Sequence, residues 1–305
     1  VTKHFLTGAE ISPEELAGIL NRAQQFKDER AELAAHRGAL AAKTVALIFE
    51  HPSTRTRMSS EVAVYELGGH PMVLSGENMQ LSRGESIKDT ALVTSRFVSA
   101  IGIRTGSHST VVDLAAHSTV PVFNLLTDLH HPMQGLADLL TMQQRFGNLE
   151  GLKLAYVGDG NNVTASLMVL GAMAGMQIAV ATPENFEPDI AAVELAESVA
   201  TAGGAIELTN DPADAAAEAD AVYTDVWVSM GEEDSGTKKA ILQPFQLSGE
   251  LLAHAKPEAI ALHCLPAHVG EEITEDALYG PHSAIFDQAE NRLHVQKALL
   301  EYLIS

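Results

Sequence analysis

Residues Ser53-Thr54-Arg55-Thr56-Arg57 place three hydroxyls and two guanidiniums in consecutive positions. They follow the β-rich apolar run TVALIF (44–49) and precede a helical pattern marked by Met58, Val62 and Tyr65. The free N–H groups and positive dipole end of a helix start bind phosphate or carboxylate. Hydroxyls add donors, and arginine adds a planar two-pronged fork. The stretch reads as an anion cradle. Its bland counterpart is a capped helix with surface arginines. It is not a Walker loop, because GxxxxGK[ST] is absent.

Other segments carry polar groups at similar places. VGDGNNV (157–163) has two glycines after a strand, but Val163 replaces the third glycine of a dinucleotide fingerprint, and no acidic residue ends the next strand. Asn161 and Asn162 are placed instead to hydrogen-bond a small ligand. DLHHPMQ (128–134) sets His131 and Gln134 around a proline. TDVWVSMG (224–231) ends a strand on Asp225. HCLPAH (263–268) holds Cys264, the sole cysteine. Each has a dull explanation when taken alone. Cysteine is often a small buried hydrophobe, His131 could be a satisfied interior histidine, and an aspartate at a strand end often caps a turn.

Strand-like runs position these groups. AIGIR (100–104) and TVPVFN (119–124) follow TVALIF. A second set begins near residue 150 with LKLAYVGDG (152–160), QIAVAT (177–182), AIELT (205–209), DAVYTDVW (220–227) and AIALHCLP (259–266). Helical patterns alternate with them, and ISPEEL opens an N-terminal helix through a capping box of Ser12 and Glu15. The fold class expected is α/β, with two doubly wound domains of parallel sheets closed by a C-terminal helix. The domains expected are 1–140 and 150–287, with the helix 288–305 packing back on the first. Ligands of open α/β sheets sit beyond the carboxyl ends of strands. That rule selects 50–57, 104–106, 128–134, 158–162, 225–231 and 263–268.

The chain has 305 residues and a formal net charge of -21, with 19 Lys+Arg against 40 Asp+Glu. Such a charge argues against nonspecific nucleic-acid binding, so any anion site must be built locally. No apolar run reaches the roughly 18–20 residues of a membrane span, and the start of the chain lacks the pattern of a secretory signal. A single cysteine fits a reducing cytoplasm. Neither CxxC nor HExxH is present, so no metal site is expected.

Taken together, STRTR (53–57), HPMQ (131–134), DVWVSMG (225–231), HCLP (263–266) and QAENRLH (288–294), with Gln80 and Arg104, resemble the aspartate/ornithine carbamoyltransferase family. The order covers nearly the whole chain, and SMG with HCLP points to the ornithine branch. The resemblance implies carbamoyl transfer from carbamoyl phosphate to L-ornithine, giving L-citrulline and phosphate. The alternative is a different amine, such as putrescine. It implies an N-terminal carbamoyl-phosphate domain, a C-terminal amino-acid domain, and a homotrimer or multiple of trimers in the cytoplasm. Carbamoyl phosphate would be held by Ser53, Thr54, Arg55, Thr56, Gln80, Arg104, His131, Gln134, Cys264, Leu265 and Arg292, with Gln80 from the same or a neighbouring subunit. Ornithine would be held by Asn162, Asp225, Ser229 and Met230. Arg104, His131 and Cys264 would be the catalytic residues, with Cys264 facing the reacting amine rather than forming a covalent bond. No metal or organic cofactor is implied, because carbamoyl phosphate is already activated.

Arg57 could contact the ligand or brace the loop through a salt bridge. Residues 231–245 would suit a lid. The chain departs from the family pattern at His51, where a lysine is common, at Met58 to Ser60, where a phenylalanine is frequent, and at Val269, where a basic residue is frequent.

Overall fold

The computed structural model describes residues 2–32, 38–80, 84–228 and 236–304. The chain divides into two compact units, one of residues 1–140 and 290–305 and the other of residues 141–289.

In the first unit, α1 (Pro13–Asp28) opens with the capping box: Glu15 N–H donates to Ser12 Oγ at 3.2 Å, and Ser12 N–H to Glu15 Oε2 at 2.9 Å. Then follow β1 (Thr44–Phe49), α2 (Thr54–Glu66), β2 (His70–Ser75), α3 (Ile87–Thr94), β3 (Ala100–Arg104), α4 (His108–His117), β4 (Val122–Leu126) and α5 (Pro132–Phe146), whose last turns belong to the second unit. The sheet has the order β2-β1-β3-β4, and every pair is parallel. Ala46, Ile48, Ile101, Ile103 and Val122 pack with Ala91, Val111 and Leu114 of α3 and α4. The alternate residues Val45, Leu47 and Phe123 are buried as well, so both faces of the sheet are covered.

The second unit continues with β5 (Lys153–Val157), α6 (Asn162–Met173), β6 (Gln177–Ala181), α7 (Ile190–Val199), β7 (Ala205–Thr209), α8 (Pro212–Ala216), β8 (Ala221–Thr224), α9 (Gly236–Leu242), α10 (Gly249–Leu252), β9 (Ile260–His263) and α11 (Glu275–Tyr279). Its sheet is again parallel, in the order β7-β6-β5-β8-β9. The final helix, α12 (Ile285–Ile304), starts three residues before the expected 288 and carries Arg292 in the first unit. The α/β class, the parallel sheets and the closing helix agree with the sequence-based expectation.

Two local features were not marked by the sequence. The strand β2 carries no strong sequence signal, because Pro71 lies within it and several of its residues are exposed; it survives as an edge strand. The apolar residues that mark α2 face outward: Met58 is 62% and Tyr65 60% exposed, while Thr56, Ser60, Ala63 and Val64 form the buried face. Small residues there allow close approach to β1 and β2.

The topology picks out the ligand positions. In the first sheet the strand order reverses between β1 and β3, where Phe49 pairs with Arg104. In the second it reverses between β5 and β8, where Tyr156 pairs with Tyr223. Crevices at such switch points receive ligands in open α/β sheets.

Candidate active site

The switch point of the first unit gathers cationic groups on neutral acceptors. Ser53 is the N-cap of α2 by position, yet its side chain caps no helix N–H. Its hydroxyl accepts instead from Arg104 Nη1 at 3.2 Å. Thr54 is exposed at the first helical position, and Arg55 is half-buried with no ion pair among the described residues. Arg57 points elsewhere, pairing with Glu61 at 2.6 Å on the solvent face of α2. Arg57 thus makes a salt bridge, but one that runs along α2 rather than to the loop before it.

Arg292, 4% exposed, reaches the same helix from α12. Its Nη2 donates to Thr56 Oγ1 at 3.0 Å and its Nη1 to Gln134 Oε1 at 2.6 Å. Gln134 in turn donates to Asp138 Oδ1 at 2.7 Å, so its amide orientation is determined by both neighbours. His131 is buried just before α5, and its pKa is held well below the usual imidazole value, chiefly by burial and then by the Arg292 and Arg104 guanidiniums. A neutral imidazole can donate one N–H to a carbonyl oxygen without adding a charge. Gln80 is exposed and joins none of these side-chain hydrogen bonds.

The switch point of the second unit is built around Asp225. Its Oδ2 accepts from Asn161 Nδ2 at 2.8 Å and its Oδ1 from the Cys264 thiol at 2.7 Å. A donating thiol is protonated, which suits a polar contact rather than a nucleophile. Asn161 Oδ1 also caps α6 through Val163 N and Thr164 N, so one side chain fixes both the helix start and the carboxylate. The sequence placed Asn161 near a ligand but did not show this double role. The signal was an asparagine directly before a helical run.

Cys264 follows β9, and Leu265 sits at φ +59 with its N–H on His263 Nδ1 at 2.8 Å. His263 Nε2 faces the buried Glu272 at 3.2 Å. Ligand-type atoms of Asp225, His263 and Cys264 lie within 4.8 Å of one another, a grouping that sequence spacing did not reveal. His263, however, is oriented by Leu265 and Glu272. Asn162 is the first residue of α6, while Ser229 and Met230 lie outside the described residues. Part of the expected lid also lies outside them; the remainder forms α9, whose Lys238 pairs with Asp159 at 2.8 Å and Lys239 with Glu271 at 2.9 Å.

The two glycines of VGDGNNV have structural reasons. A Cβ on Gly160 would come within 2.4 Å of Pro188 N and 2.6 Å of Phe186 O, so the chain's own backbone fills the space that a pyrophosphate would need. This is not a dinucleotide cradle.

The sequence profile of the carbamoyl-phosphate-binding domain of aspartate/ornithine carbamoyltransferases matches residues 3–144, and that of their Asp/Orn-binding domain matches residues 150–303. The chain belongs to the aspartate/ornithine carbamoyltransferase family. Similar members include an ornithine carbamoyltransferase of Acidothermus cellulolyticus, 51% identical over 99% of this chain and 96% of the relative. The anabolic ornithine carbamoyltransferase of Pyrococcus furiosus is 50% identical over 94% of this chain and 91% of its own. A solved structure of the ornithine carbamoyltransferase from Pyrococcus furiosus superposes with a TM-score of 0.94 at 48% identity, covering 98% of this chain and 96% of that one. Ser53, Arg104, His131 and Gln134 fall in the first matched region, and Asn161, Asp225 and Cys264 in the second, which also contains Arg292.

Proposed function

We propose that the chain transfers the carbamoyl group of carbamoyl phosphate to the side-chain amine of L-ornithine, giving L-citrulline and phosphate. The observation that carries this reading is the convergence of Ser53, Arg104, His131, Gln134 and Arg292 at one switch point, on a chain whose relatives are ornithine carbamoyltransferases.

The roles follow from the groups. The phosphate is held by the α2 start: Ser53, Thr54, the Arg55 guanidinium and Thr56, the last steadied by Arg292. Gln80, Cys264 and Leu265 complete the carbamoyl-phosphate contacts. The neutral amine attacks the carbamoyl carbon, and charge develops on the carbonyl oxygen. Arg104, neutral His131 and Gln134 are donors for that oxyanion, preorganised by their hydrogen bonds and burial. The C–O bond to phosphate then breaks, the amine's proton passes to the departing phosphate, and the resulting hydrogen phosphate dianion stays beside Arg55 and the helix dipole. Asp225 holds the α-ammonium, with Asn162, Ser229 and Met230 around the amino acid and Cys264 toward the reacting amine. Holding both substrates in register replaces a bimolecular encounter and contributes several kcal/mol of the rate, of the order seen for well-oriented intramolecular reactions.

The working form is a homotrimer or multiple of trimers, and the compartment is the cytoplasm. Among the described residues no helix is long and apolar enough to cross a membrane.

The test is phosphate release and citrulline formation with carbamoyl phosphate plus L-ornithine, compared with putrescine. Preference for putrescine overturns the substrate. In the same assay Arg55→Ala should lower kcat/KM by roughly 100-fold or more, as expected for a charge-assisted contact to a phosphate in a shielded site. Near-normal turnover removes Arg55 from the cradle.

A further inference from the structure

Gln288 opens the QAENRLH stretch, lies near the start of α12, and holds neither substrate in the proposed reaction. It is 0% exposed. Its Oε1 accepts the backbone N–H of His263, the last residue of β9, at 2.9 Å. Both residues belong to the second unit. β9 is the outermost strand of its sheet and pairs along its length with β8 alone. Residues 282–284 close part of its open edge. Ala261 N–H donates to His282 O at 2.9 Å, and Ala284 N–H donates to Ala261 O at 3.0 Å. Groups facing one edge of a strand recur at every second residue, so the next N–H on that edge belongs to His263. By then the flanking chain has turned into α12 at Ile285. A buried backbone N–H needs an acceptor, and the Gln288 carboxamide supplies it.

We propose that Gln288 is a positioning residue for carbamoyl transfer: its side chain stands in for one rung of the sheet and holds the turn that presents Cys264 and Leu265. This rests on the function proposed above. The turn needs holding. Leu265 has φ +59, in the left-handed region that residues with a side chain enter at a cost. Such conformations persist where the surroundings over-determine them. Here the bonds run through His263. Gln288 fixes its backbone N–H, and its ring Nδ1 accepts the Leu265 N–H at 2.8 Å. Cys264 lies between these two tied residues, with its thiol on Asp225 Oδ1 at 2.7 Å. A misplacement of about 1 Å at a reacting site can cost on the order of 100-fold in rate. An ordinary glutamine near a helix start faces solvent. Gln288 is buried instead and reaches a strand residue 25 positions earlier.

Two variants of the full chain test this. Gln288→Met keeps the length and removes the acceptor. Gln288→Glu keeps an acceptor oxygen, and an acid is favoured near a helix start. Each is measured for kcat and KM with both substrates and for its urea midpoint. Cys264 is the sole cysteine, so its rate of reaction with a chromogenic aromatic disulfide reports on the turn in the folded chain. For Gln288→Met, kcat/KM for L-ornithine should fall about tenfold or more, and Cys264 should react roughly fivefold faster. Gln288→Glu should stay within about threefold of the unmodified chain in both. A glutamine that only supports the fold predicts a lower urea midpoint for Gln288→Met, with unchanged kcat/KM and Cys264 reactivity. That result overturns the inference, and so does a Gln288→Glu as impaired as Gln288→Met. If Gln288→Met does not fold, Gln288→Glu decides: retained turnover and reactivity support the rung, and a tenfold loss overturns it. Citrulline production by the unmodified chain separates the two readings. If citrulline forms and Gln288→Met matches the unmodified chain, only this inference falls; if no citrulline forms, the proposed function falls and takes the positioning role with it.

Discussion

Single side chains in the first unit work in pairs whose geometry depends on residue type. Arg292 donates separately to Thr56 and Gln134, a task for a planar fork rather than a point charge. Arg292→Lys can keep one of these contacts but not both. Carbamoyl-phosphate KM is expected to rise about tenfold or more, with secondary structure unchanged by circular dichroism. His294, buried on α12, has its pKa lowered to about 4, mainly by burial, with Glu290 opposing and Lys27 and Arg30 adding to the shift. The folded state therefore resists a proton that the unfolded chain accepts near pH 6.5. The sign follows: this contribution to stability is complete above pH 6.5, declines as pH falls, and is lost through pH 4. Urea midpoints at pH 7.5, 5.5 and 4.5 should drop for the native chain, and the drop should be smaller for His294→Gln.

At the scale of elements, strand ends and helix starts supply the polar groups, and close backbone approach determines where glycine is needed. Gly160 shows this most sharply, with Pro188 N and Phe186 O filling the space over it. Gly160→Ala should push the 186–188 segment or the α6 start out of place. A loss of about 1–3 kcal/mol, typical of overpacking, is expected by denaturant titration, together with weaker ornithine binding. An unchanged midpoint contradicts the close approach. The segments after β1, β3, β5, β8 and β9 could be chosen from the sequence because apolar β-rich runs mark strands and parallel sheets bind ligands at one end. The edge strand β2 escaped because proline and exposed positions erase that signal.

Across the whole molecule, the outward face of α2 is the feature that a lone chain leaves unexplained. Met58, Val62 and Tyr65 recur at helical spacing and are 62%, 36% and 60% exposed. Contiguous exposed apolar surface marks association sites, in keeping with the proposed trimer. Sedimentation should therefore give three times the 32.4 kDa of the chain or a multiple of that mass. Combined Met58→Glu and Tyr65→Glu should shift the protein to smaller species. Unaltered mass would place the subunit contact elsewhere.

By itself, the sequence determined the α/β class, the parallel sheets, the family and most of the loops that carry polar residues. These depend on local periodicity and on short motifs, which are written in consecutive residues. Tertiary structure alone decided the partners: Ser53 with Arg104, Arg292 with Thr56 and Gln134, Asp225 with Asn161 and Cys264. It also assigned Arg57 to Glu61 and turned the apolar face of α2 outward. Such pairings join residues up to 236 positions apart. Direction and burial arise only when the strands are laid side by side, and no local pattern encodes them.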